Sequence, residues 1–497
     1  MAVEREVKLG AAPGFHLPAL DGVLEGIRAE PAEEKRLDTV YHDTPDLRLA
    51  RWGVSLRHRA GEGWTLKLPS AAGAAPNGGV ARDEIEFEGR RGRVPEAALK
   101  LLAAYVRRSQ LEPVARLKTK RRTVRLCDAD SHLLAEVVDD EVSVLEGRRV
   151  AARFRELEIE VKGGDAEDLL DATVFKLRTA GAGAPDPVAK HVRALGPRAQ
   201  EPPEVHAGEL PAGATAGDAV RWALAAAVEE VLRHDPGVRL GGDPESVHKA
   251  RVGTRRLRSH LRTFGALLDP EWSQALSDEV CWLADELGRV RDLEVRRERL
   301  RALARRLPAN DVPYGLRVAA LLDAEVAASR AALAEAFDSA RYLELLDRLV
   351  AAATAPALAG DHAAPAAPAI PALARSAWRR LRKEVGALGD PPLDPDLHRV
   401  RIRAKRARYA AEVAAAVVGQ PAARFARALA EVQGVLGDHQ DSVTAQVWLR
   451  SVGGSGRRAY AAGEMAALEM ASADRSRAAF PEVWRTASAK SLRDWMP

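Results

Sequence analysis

The chain begins Met1-Ala-Val-Glu-Arg-Glu-Val-Lys-Leu9, a stretch in which charged and apolar residues alternate. Successive side chains of a β-strand point to opposite faces, so Glu4, Glu6 and Lys8 would share one face of a strand. Two carboxylates and an ammonium on one face suit a divalent cation beside a bound anion, because hard cations prefer oxygen ligands. Alternating Glu and Lys also occur on solvated strands, so this stretch becomes informative only together with the rest of the chain.

The period-two pattern continues in short segments up to about Leu195 and predicts a sheet-rich N-terminal domain. If its strands close into a barrel, each strand has an inward and an outward face, and the inward face would be charged. A charged interior is costly unless it holds ions or a ligand. The strand-like segments are 54–59, 64–68, 84–88, 114–126, 133–138 and 155–162.

A stretch rich in Pro, Gly and Ala at 197–217 separates this half from a second half of different character. From Asp218 onward Ala, Leu, Arg and Glu recur at helical spacing, which predicts an all-α domain. A chain of 497 residues is also too long for one ordinary core. The expected organisation is an N-terminal domain at 1–200, a linker at 201–214 and a helical domain at 215–497.

The helical half contains an internal repeat. The segment His248-Lys-Ala-Arg-Val-Gly-Thr-Arg-Arg-Leu-Arg258 matches His398-Arg-Val-Arg-Ile-Arg-Ala-Lys-Arg-Ala-Arg408, 150 residues later. Downstream, Leu287-Gly-Arg-Val-Arg-Asp292 is similar to Leu436-Gly-Asp-His-Gln-Asp441. Duplication of one helical bundle is the simplest account, with repeats at about 215–350 and 373–497.

Each copy places basic residues along one face of a predicted helix. Guanidinium groups bind phosphate oxygens bidentately, so two such helices predict a polyanion site. Histidines among arginines favour phosphate over a metal cation, which the arginines would repel. The candidate residues are His248, Lys249, Arg251, Arg255, Arg256, Arg258 and Arg262 in the first copy, His398, Arg401, Lys405, Arg406 and Arg408 in the second, and His439.

Composition narrows the classes of partner. Aromatic residues make up 5% of the chain and Tyr409 is the sole aromatic in the two basic segments, so a plain phosphate chain fits better than nucleic acid, which needs stacking. The two cysteines, Cys127 and Cys281, are too few for a disulfide framework and indicate a reducing compartment. No apolar run approaches a membrane span and the N-terminus lacks an apolar signal region, so the expected location is the cytoplasm. Homo-oligomerisation is left open.

Taken in order, several motifs of the first half resemble the CYTH domain of the triphosphate tunnel metalloenzymes. The resemblance covers about residues 1–200 and implies an eight-stranded antiparallel β tunnel barrel. It also implies hydrolysis of inorganic triphosphate, nucleoside triphosphates or thiamine triphosphate, or more rarely adenylate cyclase activity. The motifs are Glu4-x-Glu6-x-Lys8, Tyr41-His-Asp43-Thr, Leu56-Arg57-x-Arg59, Trp64-x-Leu-Lys67, the basic strand 116–122, Asp139-Asp140 and Glu156-x-Glu158-x-Glu160.

The same resemblance implies roles for individual residues. Mg²⁺ or Mn²⁺ would be held by Glu4, Glu6, Glu158 and Glu160, with Asp140 and Glu156 as further metal ligands nearby. The catalytic residues would be Glu4, Glu6, Lys8, Glu158 and Glu160. The phosphates would be bound by Lys8, Arg57, Arg59, Lys67, Arg116 and Lys118, with Arg121, Arg122 and Lys190 as further candidates. Which of Arg121 and Arg122 faces inward is left open, as is the choice between Asp139 and Asp140. Ala189-Lys190 departs from the Ser-Lys that family members often carry there.

The repeated basic segments resemble the CHAD domain over roughly residues 215–497. This resemblance implies two pseudosymmetric four-helix bundles around a basic cavity that binds inorganic polyphosphate. The expected function is metal-dependent hydrolysis of inorganic triphosphate or a related substrate in the barrel, with polyphosphate binding by the helical half and association with polyphosphate granules. The alternatives are a non-catalytic polyphosphate-binding protein and an adenylate cyclase.

Overall fold

A computed structural model of the chain describes residues 5–74, 80–162, 167–186, 188–452 and 454–497. The chain divides into two compact units, Met1–Glu204 and Val205–Pro497. This division falls within 201–214, the segment expected to be a linker. No helix among the described residues is both long and apolar enough to cross a membrane.

The first unit is built on an antiparallel β-sheet, as expected. Eight strands follow one another in the order β1-β9-β8-β7-β3-β4-β5-β6, and the two-residue β2 pairs with β7. The Cα atoms of the two edge strands, β1 and β6, come within 8 Å of each other, so the sheet curls into a barrel. The strands are β1 (Arg5–Ala11), β2 (Arg28–Ala29), β3 (Glu33–Asp43), β4 (Ser55–Arg59), β5 (Gly63–Ala74), β6 (Val80–Phe87), β7 (Glu112–Cys127), β8 (Leu133–Glu146) and β9 (Arg149–Val161).

The outer face of β1, β8 and β9 carries the apolar core of this unit. Leu9, Val137 and Ile159 are completely buried there and pack with Leu170 and Leu177 from a covering helix. Because side chains alternate along a strand, burying the odd-numbered positions of β9 outside the barrel directs its even-numbered glutamates inward. The helices of this unit are α1 (Arg48–Arg51), α2 (Glu96–Leu101), α3 (Ala103–Val106), α4 (Glu167–Thr179), which covers the core, and α5 (Lys190–Leu195).

The second unit is helical, as expected. Its helices are α6 (Ala216–Leu240), α7 (Pro244–Thr263), α8 (Pro270–Ala304), α9 (Val312–Ala320), α10 (Asp323–Phe337), α11 (Ala340–Thr354), α12 (Ala366–Gly386), α13 (Asp394–Val418), α14 (Gln420–Ser451) and α15 (Gly456–Ala487). The repeated basic segments lie on α7 and α13, which pack against each other, and the second repeated motif lies on α8 and α14. The segment expected as the first repeat, 215–350, contains α6–α10 and most of α11, and the segment expected as the second, 373–497, contains most of α12 and α13–α15.

Local sequence sets the starts of the helices that carry the basic motifs. The Thr215 side chain accepts a hydrogen bond from the Asp218 amide and the Asp218 carboxylate accepts one from the Thr215 amide, which forms a capping box at α6. The Asp243 side chain accepts a hydrogen bond from the Glu245 amide at the start of α7, and the Asp269 side chain accepts one from the Trp272 amide at the start of α8. Each aspartate is followed by a proline at the first helical position. The caps fix where the basic face of α7 begins.

We expect Gly253→Ala to destabilise the helical unit. A Cβ at Gly253, buried where α7 crosses α6, would lie 2.8 Å from the Ala227 carbonyl oxygen and 2.8 Å from Val231 Cγ2, so the helices would have to separate. Overpacking of this kind costs about 1–3 kcal/mol. Gly434→Ala is the matched control, because Gly434 is also inside a helix but meets nothing within 4 Å, and there alanine should stabilise by up to about 1 kcal/mol. Urea unfolding of both variants measures the difference, and equal effects would contradict the packing account.

Candidate functional site

A cavity of about 290 Å³ lies inside the barrel. Each of the eight long strands contributes side chains to it, and Lys190 and His191 of α5 close one part of the lining. The cavity has an acidic wall on β1, β8 and β9 and a basic wall on β4 and β5. The acidic lining residues are Glu6, Glu84, Glu136, Asp140, Glu158 and Glu160.

The acidic wall follows from the strand register. Glu6 lies directly opposite Glu160, and Glu160 lies directly opposite Glu136 on its other side. Residues opposite each other in antiparallel strands project from the same face about 5 Å apart, so these three carboxylates stand in one row. Burial and the nearby Glu158 carboxylate raise the pKa of Glu6. Crowded carboxylates repel one another, and a bound divalent cation would relieve this repulsion.

Two lysines occupy the middle of this wall. Lys8 Nζ lies 2.8 Å from Glu158 Oε1 and 3.0 Å from Glu6 Oε1. Lys190 Nζ lies 2.7 Å from Glu158 Oε1 and 2.8 Å from Asp140 Oδ2. Burial opposes ionisation of Glu158, but Lys190, Lys8 and Arg121 outweigh it and hold the pKa of that carboxyl well below its usual value. Glu158 is therefore the ionised centre of the cluster.

Glu156 is in a different state. Its side chain is completely buried, and neither carboxylate oxygen has a hydrogen-bond partner among the described residues. Burial, only partly offset by Lys190, raises the pKa of Glu156 to about 7. The barrel thus keeps one carboxyl able to exchange a proton near neutral pH beside Glu158, which stays ionised.

The basic wall lies on β4 and β5. Lys67 Nζ is 2.6 Å from Glu84 Oε2, and Arg57 Nη2 is 3.2 Å from Glu84 Oε1. Arg59 Nη1 contacts Glu62 at 2.6 Å. Arg121 reaches across to the acidic wall, where it donates two hydrogen bonds to Asp140 at 2.9 and 2.7 Å. An anion in the cavity would therefore meet these three guanidinium groups and the Lys67 ammonium, in addition to Lys8 and Lys190 of the acidic wall.

The structure corrects the expected orientation of β7. Leu117, Thr119 and Arg121 line the cavity, which places Arg116, Lys118 and Arg122 on the outer face. There Arg116 Nε donates to Asp38 Oδ1 at 2.9 Å, and both Lys118 and Arg122 are exposed. The structure therefore does not bring Arg116 and Lys118 into the cavity, and of Arg121 and Arg122, between which the sequence left the choice open, Arg121 faces inward. Alternation alone could not show which set of β7 side chains points inward, because basic residues occupy both faces of the strand.

The same strand register decides between the neighbouring aspartates of β8. Asp140 lines the cavity. Asp139 lies on the other face of the strand, where its Oδ1 accepts a hydrogen bond from Arg155 Nε at 2.7 Å. Among the other expected barrel residues, Glu6, Lys8, Arg57, Arg59, Lys67, Arg121, Glu158, Glu160 and Lys190 line the cavity. Glu156 lies beside it, 3.3 Å from Lys190 Nζ, and Glu4 falls outside the described residues.

Two carboxylates of the cavity were not among the site residues predicted from the sequence. Glu136 completes the acidic row, and Glu84 links Arg57 and Lys67 on the basic wall. Glu136 has the same parity as Asp140 along β8, so the period-two argument applied to β9 would also have found it.

A small acidic group lies away from the cavity. Asp128, Asp130 and His132 in the β7–β8 turn have possible ligand atoms within 4.8 Å of one another. Asp128 Oδ1 accepts hydrogen bonds from the amides of Asp130 and His132, and its other oxygen contacts His132 Nδ1 at 3.1 Å. These hydrogen bonds, which stabilise the turn, explain why the three side chains lie close together.

A second cavity, of about 600 Å³, lies in the helical unit between α7 and α13, with α8 and α14 at its sides. Both copies of the repeat contribute basic side chains to it, which places the two basic faces opposite each other. The residues of the candidate set that line it are His248, Arg251, Arg255, Arg258, Arg262, Arg401, Lys405 and Arg406.

Glycines at equivalent positions of the repeat make room for two of these arginines. A Cβ at Gly288 would lie 3.6 Å from Arg251 Nε, and one at Gly437 would lie 3.3 Å from Arg401 Nη2. Arg251 is further held by Asp292, with Nη1 and Nη2 at 2.7 and 3.0 Å from its oxygens. The repeated Leu-Gly motif therefore lets each guanidinium lie flat along the neighbouring helix.

The cavity has uncompensated positive charge. Burial, together with Arg255, Arg401 and Arg251, lowers the pKa of Lys405 to about 7. Burial and the neighbouring Arg262, among others, likewise lower the pKa of Arg406 to about 10. Cations whose pKa values fall in this way are short of counter-charge, and an anion entering the cavity would supply it.

Five residues of the helical candidate set do not line this cavity. Arg256 and Arg408 turn to Glu412, at 3.2 and 3.4 Å, and Lys249 lies 3.8 Å from Glu245. His398 Nδ1 contacts Gln440 Oε1 at 2.7 Å, and His439 is buried with Nε2 3.1 Å from Asp394 Oδ1. The structure therefore does not bring these five residues into the lining of the cavity, because a helical stripe is too broad to separate facing residues from flanking ones. Arg291 of α8 lines the cavity and was missed, since α8 also carries many acidic residues.

The comparisons agree with this two-part structure. A model of the CYTH domain matches residues 2–184, and a model of the CHAD domain matches residues 223–450. The chain is 34% identical over 477 residues to the protein named "Uncharacterized protein Rv2226" of Mycobacterium tuberculosis H37Rv, covering 89% of this chain and 87% of that protein.

Two solved structures are also similar to the chain. PptA from Streptomyces chartreusis shares 25% identity with a TM-score of 0.45, covering 55% of this chain and 100% of PptA. The CHAD domain from the plant Ricinus communis shares 30% identity with a TM-score of 0.43, covering 59% of this chain and 95% of that domain. With both domain models matched in order, the chain belongs to the family of proteins that join an N-terminal CYTH domain to a C-terminal CHAD domain.

Proposed function

We propose that the barrel hydrolyses inorganic triphosphate in a metal-dependent reaction and that the helical unit binds inorganic polyphosphate. The observation that supports the first part is a cavity in which a row of carboxylates faces a wall of arginines and a lysine. Membership in the CYTH family, whose enzymes are metal-dependent hydrolases or cyclases, points the same way. The volume of about 290 Å³ is at the lower limit of ordinary ligand cavities, roughly 300 Å³, and favours a small polyanion over a nucleotide.

The acidic wall fits Mg²⁺ or Mn²⁺. Glu6, Glu136 and Glu160 offer oxygen ligands in one row, Glu158 stays ionised beside them, and Glu156 has two buried oxygens without hydrogen-bond partners. When bound, such a cation supplies charge neutralisation on phosphate oxygens and lowers the pKa of a water molecule. Oxygen donors of this kind match hard divalent cations and not soft metals.

The chain's own groups bind and orient the substrate. Arg57, Arg59 and Lys67 would receive the phosphate oxygens from one side, exchanging their present contacts with Glu84 and Glu62 for contacts with the anion. Arg121 and Lys190 would neutralise charge that develops on the leaving phosphate. Glu156, with its pKa of about 7, is placed to hold or release a proton beside Lys190, whose Nζ lies 3.3 Å away.

The observation that supports polyphosphate binding is the meeting of two basic helix faces around about 600 Å³ of space. The site offers arginines from both repeats and few aromatic groups, so it suits a repeating phosphate chain that needs no base recognition.

The test of this proposal is phosphate release by the full-length protein from tripolyphosphate, ATP and long-chain polyphosphate with Mg²⁺, Mn²⁺ or EDTA. We expect release from tripolyphosphate that requires either metal and is fastest with that substrate. Release of cyclic AMP from ATP would instead make the barrel a cyclase. Absence of release from every substrate, with polyphosphate binding retained, would make the chain a non-catalytic polyphosphate-binding protein.

We expect polyphosphate binding to weaken as the pH rises from 6 to 8.5. Lys405 has a pKa of about 7 in the free protein, and a bound polyanion would raise it, so binding takes up a proton when the pH lies above 7. The affinity should fall by up to about tenfold per pH unit above 7 until the pKa of the bound form is reached. Long-chain polyphosphate is the suitable ligand for isothermal titration because its internal phosphates do not titrate in this range. Lys405→Arg should bind with little dependence on pH, and an unchanged pH profile in that variant would refute the assignment to Lys405.

A further inference from the structure

Lys405 differs chemically from the other cations of the helical cavity. Its side chain lies on α13 and lines the cavity together with Arg255 of α7 and Arg401 and Arg406 of its own helix. Among the residues that the structure describes, Lys405 forms no ion pair with a carboxylate. The Asp292 carboxylate, which also lines the cavity, is bound by both terminal nitrogens of Arg251.

Most of the other charged groups facing this space are basic. Arg258 and Arg262 of α7 and Arg291 of α8 add positive charge. Asp441 of α14 interacts with Arg401 and Arg299, and Asp285 of α8 lies at the cavity wall. The surroundings of Lys405 therefore disfavour its ammonium form and leave a large fraction of it as the free amine at neutral pH.

A free amine is a nucleophile, and the arginines around it bind phosphate groups. The cavity thus holds a nucleophile where an electrophile that carries a phosphate would be bound and oriented. We propose that Lys405 is a site of N-acylation by acyl phosphates, whose phosphate group is bound by Arg255 and Arg401. The amine and the anion-binding groups face one cavity, so the lysine reacts with a bound reagent and not with one meeting it by random collision.

The step balances without a further reactant. The lone pair of Lys405 Nζ attacks the carbonyl carbon of the acyl phosphate, and a C–N bond forms. The bond between that carbon and the phosphate oxygen breaks, and phosphate leaves with the bonding electrons. The nitrogen then loses one proton to water or to the departing phosphate, which leaves an N-acyl lysine and inorganic phosphate.

The expected rate advantage can be estimated. At pH 7.5 an ordinary lysine, with pKa about 10.4, is about 0.1% free amine, whereas a lysine with pKa about 7 is mostly free amine, a gain of several hundredfold. The less basic amine is a weaker nucleophile, by roughly fiftyfold if its Brønsted slope is about 0.5 as for thiols. The net advantage is about tenfold before any effect of phosphate binding, which adds to it.

Acylation would also change the cavity. It removes the ability of Lys405 to become charged when a polyanion binds, so acylated protein should bind polyphosphate more weakly. This consequence rests on the proposed polyphosphate binding, whereas the acylation itself rests only on the anion-binding cavity.

The experiment treats full-length protein with acetyl phosphate at pH 7.5 and follows acetylation of each lysine by peptide mass spectrometry. Lys249 is the internal control, because it lies on α7, is exposed and is 3.8 Å from Glu245. We expect Lys405 to react at least tenfold faster than Lys249. The ratio should fall several-fold when tripolyphosphate is added as a competitor, and again in Arg255→Gln. With p-nitrophenyl acetate, which carries no phosphate, the ratio should be smaller than with acetyl phosphate.

Equal rates at Lys405 and Lys249, or a ratio that neither tripolyphosphate nor Arg255→Gln reduces, would overturn the proposal. Polyphosphate binding is measured on the same unmodified protein. Intact binding without selective acetylation removes this inference alone, whereas selective acetylation without polyphosphate binding keeps it and removes polyphosphate as the ligand. Lys405→Gln, which resembles the acylated side chain in size and lack of charge, should bind polyphosphate several-fold more weakly than Lys405→Arg.

Discussion

Glu158→Gln should lower metal-dependent phosphate release from tripolyphosphate by at least about 1,000-fold. Glu158 is the ionised centre of the acidic wall, in contact with Lys8, Lys190 and Arg121. The change removes one negative charge from the proposed cation site and leaves three cations facing a neutral amide. A loss of about 4 kcal/mol of transition-state stabilisation corresponds to this factor, and bound metal ions commonly contribute that much.

The measurement combines phosphate release with Mn²⁺ titration calorimetry. Because Glu158 also neutralises the buried lysines, Glu160→Gln is a second variant with fewer such contacts, and it should lose at least about 100-fold in rate and bind Mn²⁺ more weakly. Glu141→Gln is the matched control, since Glu141 lies on β8 but is 55% exposed on the outer face. Full activity of both cavity variants, with the thermal midpoint unchanged, would exclude a role for these carboxylates in the reaction.

The variant Arg255→Gln, Arg258→Gln, Arg401→Gln should bind long-chain polyphosphate at least about 100-fold more weakly than the parent. All three side chains line the cavity, and a hydrogen bond to a charged group is worth about 1.5–3 kcal/mol. Loss of three phosphate contacts should also reduce the slope of log K against log salt by about two, if polyphosphate releases counterions as single-stranded nucleic acid does.

The matched control is Lys249→Gln, Arg256→Gln, Arg408→Gln, which removes the same charge from the same two helices but outside the cavity. Arg256 and Arg408 contact Glu412, and Lys249 lies near Glu245. Equal loss of binding in the two triple variants would mean that net charge and not the cavity determines affinity. Triphosphatase activity should be unchanged in both, because no substituted residue belongs to the barrel.

The sheet-rich and the helical halves could be predicted because each half of the chain keeps one hydrophobic period. The two-residue period of β9 placed Glu156, Glu158 and Glu160 on one face, and the structure places Leu157 and Ile159 in the apolar core on the opposite face. In the second half, the repeat of His248–Arg258 at His398–Arg408 indicated two related basic helices, and α7 and α13 carry them.

The two-residue period did not show which residues of β7 face the barrel interior, because neither face of that strand is clearly apolar in the sequence. Arg116, Lys118 and Arg122 look as suitable for a phosphate site as Arg121, and only pairing with β3 and β8 directs Arg121 inward. Similarly, Arg408 and Arg255 belong to equivalent basic faces, but Glu412 on the next turn of α13 contacts Arg408 while Arg255 faces the cavity.

By itself, therefore, the sequence determined the division into a sheet-rich half and a helical half and the types of charged residue that each half offers, because these depend on periodicity and residue type along the chain. The tertiary structure decided which member of each adjacent pair faces a cavity, which carboxylates stand in one row, and which arginines remain free of local acids. These outcomes depend on strand register, helix rotation and the partners that distant segments bring, and no local pattern carries that information.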